Sequence, residues 1–253
     1  MRSIGFGPHL PVFARDTGSR SPFLITCDHA GREVPAELGD LGLAPEAFER
    51  HIAWDIGAGA LSLRLGETLG ACVLMGVYSR LVVDLNRAPG RPDSIAVVSD
   101  GTPIPGNIGL SKTDSAARVD AFHEPYHQAI AQELSWREQQ GLPTVVLFVH
   151  SFTPRLAGRE RPWTVGVLHA HDSPYSAAML TLLRERTDHV VGDNEPYAMD
   201  ETDYSAGRHA RARGLDYLEL EVRQDLIAEE AGVKRMADVL APSLIQALLD
   251  VRS

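Results

Sequence analysis

The 253-residue sequence is poor in three features, and each scarcity excludes a class of protein. It has only two cysteines, Cys27 and Cys72, both in apolar runs, which argues against a disulfide-built secreted scaffold and predicts a cytoplasmic protein. No apolar run reaches the roughly 18 residues of a membrane span, and the first residues do not resemble a signal peptide, so we expect no membrane partner. Basic residues are outnumbered, 24 against 34 acidic ones, and the net charge of −10 argues against nucleic acid as a partner. A small anionic substrate stays compatible, because it needs only a local positive pocket.

The sequence does contain apolar, strand-like runs that alternate with helical patterns. Strands are predicted over residues 23–27, 71–77, 80–86, 144–149, 164–168, 189–191 and 215–222, and helices over residues 56–69, 114–139, 174–186 and 233–251. Residues 1–20 are expected to form an extended arm, and residues 88–111, rich in proline and glycine, a long loop. The alternation predicts one α/β domain over residues 1–253, with helices on both faces of a mainly parallel, mixed sheet.

Two histidines stand where predicted strands end. His29 closes the run TCDH and His150 lies in FVHSF. Ligands of open α/β sheets bind outside the carboxyl ends of the strands, so these histidines are candidate metal ligands, although a lone histidine is more often structural. A catalytic zinc site needs a third ligand and an open position for water. Asp55 is the first candidate and Glu33 its rival; the alternative role of Asp55 is to cap a helix.

Two further strand-like runs carry charged side chains. In residues 217–222 the even positions Leu218, Leu220 and Val222 are apolar, so Glu221 lies on the opposite face; it is either a general base or part of a solvated strand surface. In residues 80–86 the same alternation predicts that Arg80, Asp84 and Asn86 share a strand face.

Two motifs are set aside. The run HEPYH at 123–127 matches the H-E-x-x-H zinc pattern, but Pro125 is expected to interrupt the helix that this pattern needs. Cys27 beside Asp28 and His29 allows a cysteine hydrolase, yet a buried structural cysteine is the simpler interpretation.

The chain resembles the N-formylglutamate amidohydrolase family in seven stretches between residue 27 and about residue 226: CDHAGREVP, HIAWDIGA, SRLVVDLNRAP, PGNIGLS, HEPYH, FVHSFTPR and LELEVRQDL. The resemblance implies a three-layer, phosphorylase/hydrolase-like fold related to zinc carboxypeptidases. It implies a metal held by His29, Asp55 and His150, with Zn²⁺ the expected ion. It also implies that Glu221 is the general base and that Arg80 polarises the scissile carbonyl.

The same resemblance implies how a substrate is held. Asn86 and Arg87 resemble a pair that grips a carboxylate, and His209 resembles a pocket histidine. The expected reaction is hydrolysis of an N-acyl amino acid, by resemblance N-formyl-L-glutamate, to formate and glutamate. The alternatives are a zinc peptidase or deacylase with another acyl substrate, and a non-catalytic binding protein of the same fold.

Overall fold

A seven-stranded sheet forms the centre of the protein. The structure is a computed structural model that describes residues 6–170, 173–200 and 202–252. The strands of this sheet are β1 (Val12–Arg15), β2 (Phe23–Cys27), β3 (Cys72–Gly76), β6 (Val145–Phe152), β9 (Val165–Leu168), β10 (Val191–Asp193) and β11 (Asp216–Arg223). Two small hairpins stand apart from it, formed by β4 (Val98–Ser99) with β5 (Thr102–Pro103) and by β7 (Arg155–Leu156) with β8 (Arg159–Glu160).

The sheet is mixed and mostly parallel, as the sequence predicts. Its strand order is β1-β3-β2-β6-β11-β9-β10. Strands β3, β2, β6 and β11 run parallel to one another, whereas β1 and β9 are antiparallel to their neighbours β3 and β11. The carboxyl ends of β2, β6 and β11 therefore lie side by side at one edge, where buried parallel strands present ligand sites.

Six helices cover the two faces of the sheet. They are α1 (Ala58–Leu69), α2 (Lys112–Arg118), α3 (Glu124–Gln139), α4 (Pro174–Arg186), α5 (Tyr204–His209) and α6 (Glu230–Asp250). Apolar residues of α1, α4 and α6 share one core with one face of the strands, while those of α3 and α5 share a second core with the other face. Within the described residues, no helix combines the length and apolar character needed to cross a membrane.

One sequence prediction about strands is wrong. Residues 80–86 form a chain of turns, with backbone hydrogen bonds from Val82 N to Ser79 O and from Arg87 N to Asp84 O. The consecutive residues Val82 and Val83 are buried in the same core, whereas Leu81 is buried in another, so their burial does not follow the alternation of a strand. The expected extended arm over 1–20 contains β1, which pairs with β3; its residues 1–5 lie outside the described residues.

The helical region around Pro125 is continuous, contrary to the prediction. A π-helical turn over Val119–His123 joins α2 to α3, and the Glu124 N–H reaches back five residues to Val119 O. Pro125 then falls in the first turn of α3, where its missing N–H costs little. The π-helical turn accommodates the proline without breaking the helix. His123 and His127 therefore lie on one side of it, with ring centroids 4.4 Å apart.

Candidate metal centre and active site

Three buried side chains converge at the carboxyl edge of the sheet. One ligand atom each of His29, Asp55 and His150 lies within 4.8 Å of the other two. The Asp55 Oδ2 atom is 3.3 Å from His29 Nδ1 and 2.9 Å from His150 Nδ1. Two imidazole nitrogens and one carboxylate oxygen are a donor set that zinc accepts.

Backbone contacts hold these three residues in place. Asp55 follows no strand, but its N–H donates to His29 O at 2.9 Å, and the Ser151 hydroxyl donates to Ile56 O at 2.9 Å. Gly57 turns the chain into α1 with φ of 81°, and a Cβ there would lie 2.2 Å from Ile227 O. The helix-cap alternative for Asp55 is wrong, because Gly57 is the N-cap residue and no side chain caps α1.

Each candidate histidine ligand has a second carboxylate on its outer nitrogen. The His29 Nε2–H donates to Asp84 Oδ1 at 2.7 Å, and His150 Nε2 lies 3.5 Å from Asp28 Oδ2. These contacts leave both Nδ1 atoms facing Asp55. Carboxylates on the far nitrogen fix the orientation of metal-ligating histidines and raise their basicity.

Both outer carboxylates stay ionised despite their burial. Burial opposes charge on Asp84, but Arg80 and His29 outweigh it and hold its pKa well below the usual range. Burial likewise opposes charge on Asp28, and His150 reverses that effect, so the pKa of Asp28 is lowered. Sequence reasoning missed this role of Asp28 and Asp84. The order of residues in the chain would suggest that Asp28 pairs with its neighbour His29, but its carboxylate lies next to His150.

Glu221 lies beside this centre. It is the register partner of His150 on the neighbouring parallel strand, so the two side chains are on the same sheet face. Glu221 is only 6% exposed, and its Oε2 has no hydrogen-bond partner among the described residues. The solvated-surface interpretation is therefore wrong. Burial raises the pKa of Glu221 to about 7, which suits a group that accepts and returns a proton.

Arg80 connects two of the acidic residues. Its Nε and Nη2 donate to Asp84 Oδ2 at 3.0 and 2.7 Å, and its Nη1 donates to Asp55 Oδ1 at 3.3 Å. The sequence placed Arg80 and Asp84 on one side by strand alternation; the structure brings them together across a turn, four residues apart.

Asn86 and Arg87 hydrogen-bond to neighbouring segments of the chain. The Asn86 Oδ1 accepts from Ser205 N at 2.9 Å. The Arg87 guanidinium donates to Asp93 Oδ2 at 3.1 Å and to Thr202 O at 3.1 Å. Their role in gripping a carboxylate stays a prediction.

His209 belongs to a buried histidine cluster behind these residues. The His127 Nε2–H donates to Leu85 O at 2.9 Å, so its Nδ1 accepts from His209 Nε2–H at 2.8 Å. The His123 Nε2–H donates to Arg87 O at 3.0 Å. The cluster thus binds the backbone carbonyls of Leu85 and Arg87 and fixes the position of the segment from Asp84 to Arg87. Among the described residues, HEPYH belongs to no group of ligand side chains close enough for a metal, a reason other than the helix break expected from the sequence.

Protonation of this cluster is predicted to destabilise the fold. Burial, together with nearby Arg208, lowers the pKa of His209 to about 4, against about 6.5 in the unfolded chain. The unfolded state therefore binds more protons between these values, and stability falls as the pH drops through that window. From pH 7 to pH 5 we expect the metal-free protein to lose about 2 kcal/mol more stability than its His209→Gln variant, as measured by urea unfolding. Parallel stability–pH curves would contradict this.

Glu33, the rival third ligand, lies elsewhere. It is exposed and pairs through its backbone with Tyr78. The described residues contain one group of potential ligand side chains close enough for a metal, and its acidic member is Asp55.

Comparisons with known proteins identify the family and the fold. The sequence profile of the family described as N-formylglutamate amidohydrolase matches residues 21–228. A gene product of Agrobacterium tumefaciens has a similar structure, with a TM-score of 0.94 and 33% identity over 98% of this chain and 97% of that chain. An N-formylglutamate amidohydrolase from Ralstonia eutropha matches with a TM-score of 0.68 and 18% identity over 96% and 98% of the two chains. No curated protein matched.

Proposed function

Because the chain belongs to the N-formylglutamate amidohydrolase family and is thus a hydrolase of amide bonds, we propose that it is a metal-dependent enzyme acting on N-formyl-L-glutamate. The single observation that carries the proposal is the convergence of His29, Asp55 and His150 next to the buried carboxylate of Glu221.

The residues fit a divalent metal ion. Two buried imidazoles and a carboxylate meet in one place, and each imidazole has an ionised carboxylate at its outer nitrogen. His29, Asp55 and His150 would hold the ion, with Zn²⁺ the first candidate from the nitrogen and oxygen donors. A bound zinc ion supplies a Lewis acid that polarises a carbonyl and makes water a nucleophile near neutral pH.

Glu221 and Arg80 would do the remaining chemistry. Glu221 takes a proton from the attacking water and passes it to the nitrogen of the leaving amine, which needs a pKa near neutrality. Arg80, held by Asp84 and Asp55, donates hydrogen bonds to the oxygen that becomes negative in the transition state. One such donor is typically worth roughly 3 kcal/mol.

One preparation can test the proposal. Metal content and hydrolysis of N-formyl-L-glutamate are measured together, beside N-acetyl-L-glutamate and a dipeptide. About one metal ion per chain and a preference for the formyl substrate support the proposal. Preference for another acyl group would favour the deacylase alternative, and absence of metal in an active preparation would exclude the mechanism.

The outer carboxylates give a separate prediction. In Asp28→Asn an amide NH₂ or a neutral oxygen faces His150 Nε2, so the imidazole loses its anionic partner. We expect zinc affinity to fall about 10- to 100-fold, measured by competition with a chelator of known affinity. Asp225→Asn, which changes an exposed carboxylate paired with Arg223, is the control and should bind zinc like the parent. Equal affinities in all three proteins would show that Asp28 does not support the site.

A further inference from the structure

Arg161 is a buried arginine at the edge of the sheet that carries the site. It follows the β7–β8 hairpin, its backbone N–H donates to Pro154 O at 2.9 Å, and the residue is only 9% exposed. Its guanidinium lies 4.7 Å from the ring centroid of Tyr197 and 5.8 Å from that of Phe152. The Nη1 atom donates to Tyr197 Oη at 2.9 Å and to Thr153 Oγ1 at 3.5 Å.

These contacts place the guanidinium near the carboxyl end of β6, the strand that carries His150. Phe152 and Thr153 are the second and third residues after His150 along β6 and its exit. Burial raises the pKa of the Tyr197 phenol, and the nearby carboxylates of Glu221 and Asp55 raise it further. Tyr197 therefore lies near enough to sense the charges of Arg161, Glu221 and Asp55.

Within the part of the chain that the structure describes, no acidic side chain pairs with Arg161. Among the described residues, no carboxylate lies within 4.0 Å of its guanidinium. The other arginines of this edge differ, because Arg80 pairs with Asp55 and Asp84 and Arg87 pairs with Asp93. A buried charge is costly unless a partner compensates it, so this cation is suited to an anion that arrives from outside.

We propose that Arg161, oriented by Tyr197, binds a carboxylate of the substrate and selects acidic N-acyl amino acids. The inference rests on the proposed function, since it assigns a specificity residue to the same site. Arginine meets both oxygens of a carboxylate with its planar fork, and the Tyr197 hydroxyl and ring fix the plane of that fork. N-formyl-L-glutamate carries two carboxylates, at the α carbon and on the side chain, and substrates that lack one charge distinguish them.

The experiment compares the parent with Arg161→Gln and Arg161→Lys. Steady-state kinetics are measured on N-formyl-L-glutamate, N-formyl-L-glutamine and N-formyl-L-glutamic acid α-amide. Arg161→Gln should raise KM for N-formyl-L-glutamate about 10- to 100-fold, the usual value of a hydrogen bond to a charged group. Each amide substrate lacks one of the two carboxylates of N-formyl-L-glutamate. For the amide that lacks the carboxylate bound by Arg161, the Arg161→Gln variant should have nearly the same KM as the parent. Arg161→Lys, which keeps the charge without the fork, should fall between.

A control and a binding measurement separate this inference from the proposed function. Arg155→Gln removes an exposed arginine of the same hairpin, paired with Glu160, and should match the parent. Binding of L-glutamate to the zinc-loaded proteins is measured by calorimetry, with melting curves to confirm that each variant is folded.

The outcomes are distinct. If the parent does not cleave N-formyl-L-glutamate, the proposed function fails, while weaker glutamate binding by Arg161→Gln alone would still support a carboxylate site. If the parent cleaves the substrate and folded Arg161→Gln keeps the parental KM and charge preference, Arg161 is structural and the inference is overturned. If the parent does not cleave the substrate, the inference is overturned when parent and Arg161→Gln bind L-glutamate equally well or when neither binds it.

Discussion

Glu221→Gln is expected to keep the metal and lose about 100- to 10,000-fold in kcat. Glutamine preserves the shape of a side chain that is buried beside His150 but can no longer accept a proton. Since no metal ligand changes, metal content should equal that of the parent. Steady-state kinetics and metal analysis of the same purified variant test both statements.

Glu219→Gln is the matched control. Glu219 lies two residues earlier on the same face of β11 and is 2% exposed. Burial, with Asp203 nearby, raises the pKa of Glu219 well above the usual range, which favours the neutral carboxyl that glutamine resembles in shape and charge. We expect its kcat to stay within about tenfold of the parent, as for a conservative buried change that leaves the reacting groups in place. Parental turnover by Glu221→Gln would make Glu221 a structural carboxylate, and loss of metal would make it a ligand.

Metal removal should have an equally large effect. Treatment of the parent protein with a chelator should abolish hydrolysis, and one equivalent of Zn²⁺ per chain should restore the original activity. His29→Ala removes one of three ligands, so it should hold far less than one metal ion per chain and lose at least about 1,000-fold in kcat/KM at limiting zinc.

His189→Ala serves as the control for loss of a histidine. His189 precedes β10, the outermost strand of the sheet, contacts Thr164, and is not a member of the group of close ligand side chains formed by His29, Asp55 and His150. This variant should bind zinc and turn over like the parent. Activity that survives exhaustive chelation would rule out the metal-dependent mechanism.

Much of the fold was readable from local pattern. Buried parallel strands are continuous apolar runs in the sequence. Strand β2 has its predicted bounds, β11 is shifted by one residue, and β6 extends three residues beyond its predicted end. Helix α4 matches its prediction at both ends, because Ser173 caps a start that Pro174 also favours. The expectation that polar residues at the ends of these strands share one edge also follows from parallel topology, and the structure does bring His29 and His150 together.

What failed depended on contacts between distant segments. The apolar residues of 80–86 alternate in sequence, yet Leu81 packs in one core and Val82 and Val83 in another, so alternation did not mean a strand. The partnership of Asp28 with His150 joins residues 122 positions apart on different strands. Such pairings are set by strand order, which no local pattern encodes. The lack of an acidic partner for Arg161 among the described residues was equally hidden, because it depends on which acidic side chains the fold places near the guanidinium.

The strand register between β6 and β11 has a consequence for how this protein can diversify. His150 and Glu221 face each other across a ladder of eight paired residues, so their spacing is fixed by main-chain hydrogen bonds and not by loops. Arg161 and Tyr197, by contrast, stand on connecting segments outside the sheet. Loops tolerate insertion and exchange far better than central strands. The pairing of His150 with Glu221 and the proposed specificity residues are thus encoded in separable parts of the chain, and we expect that the segments carrying Arg161 and Tyr197 can change while this pairing is kept.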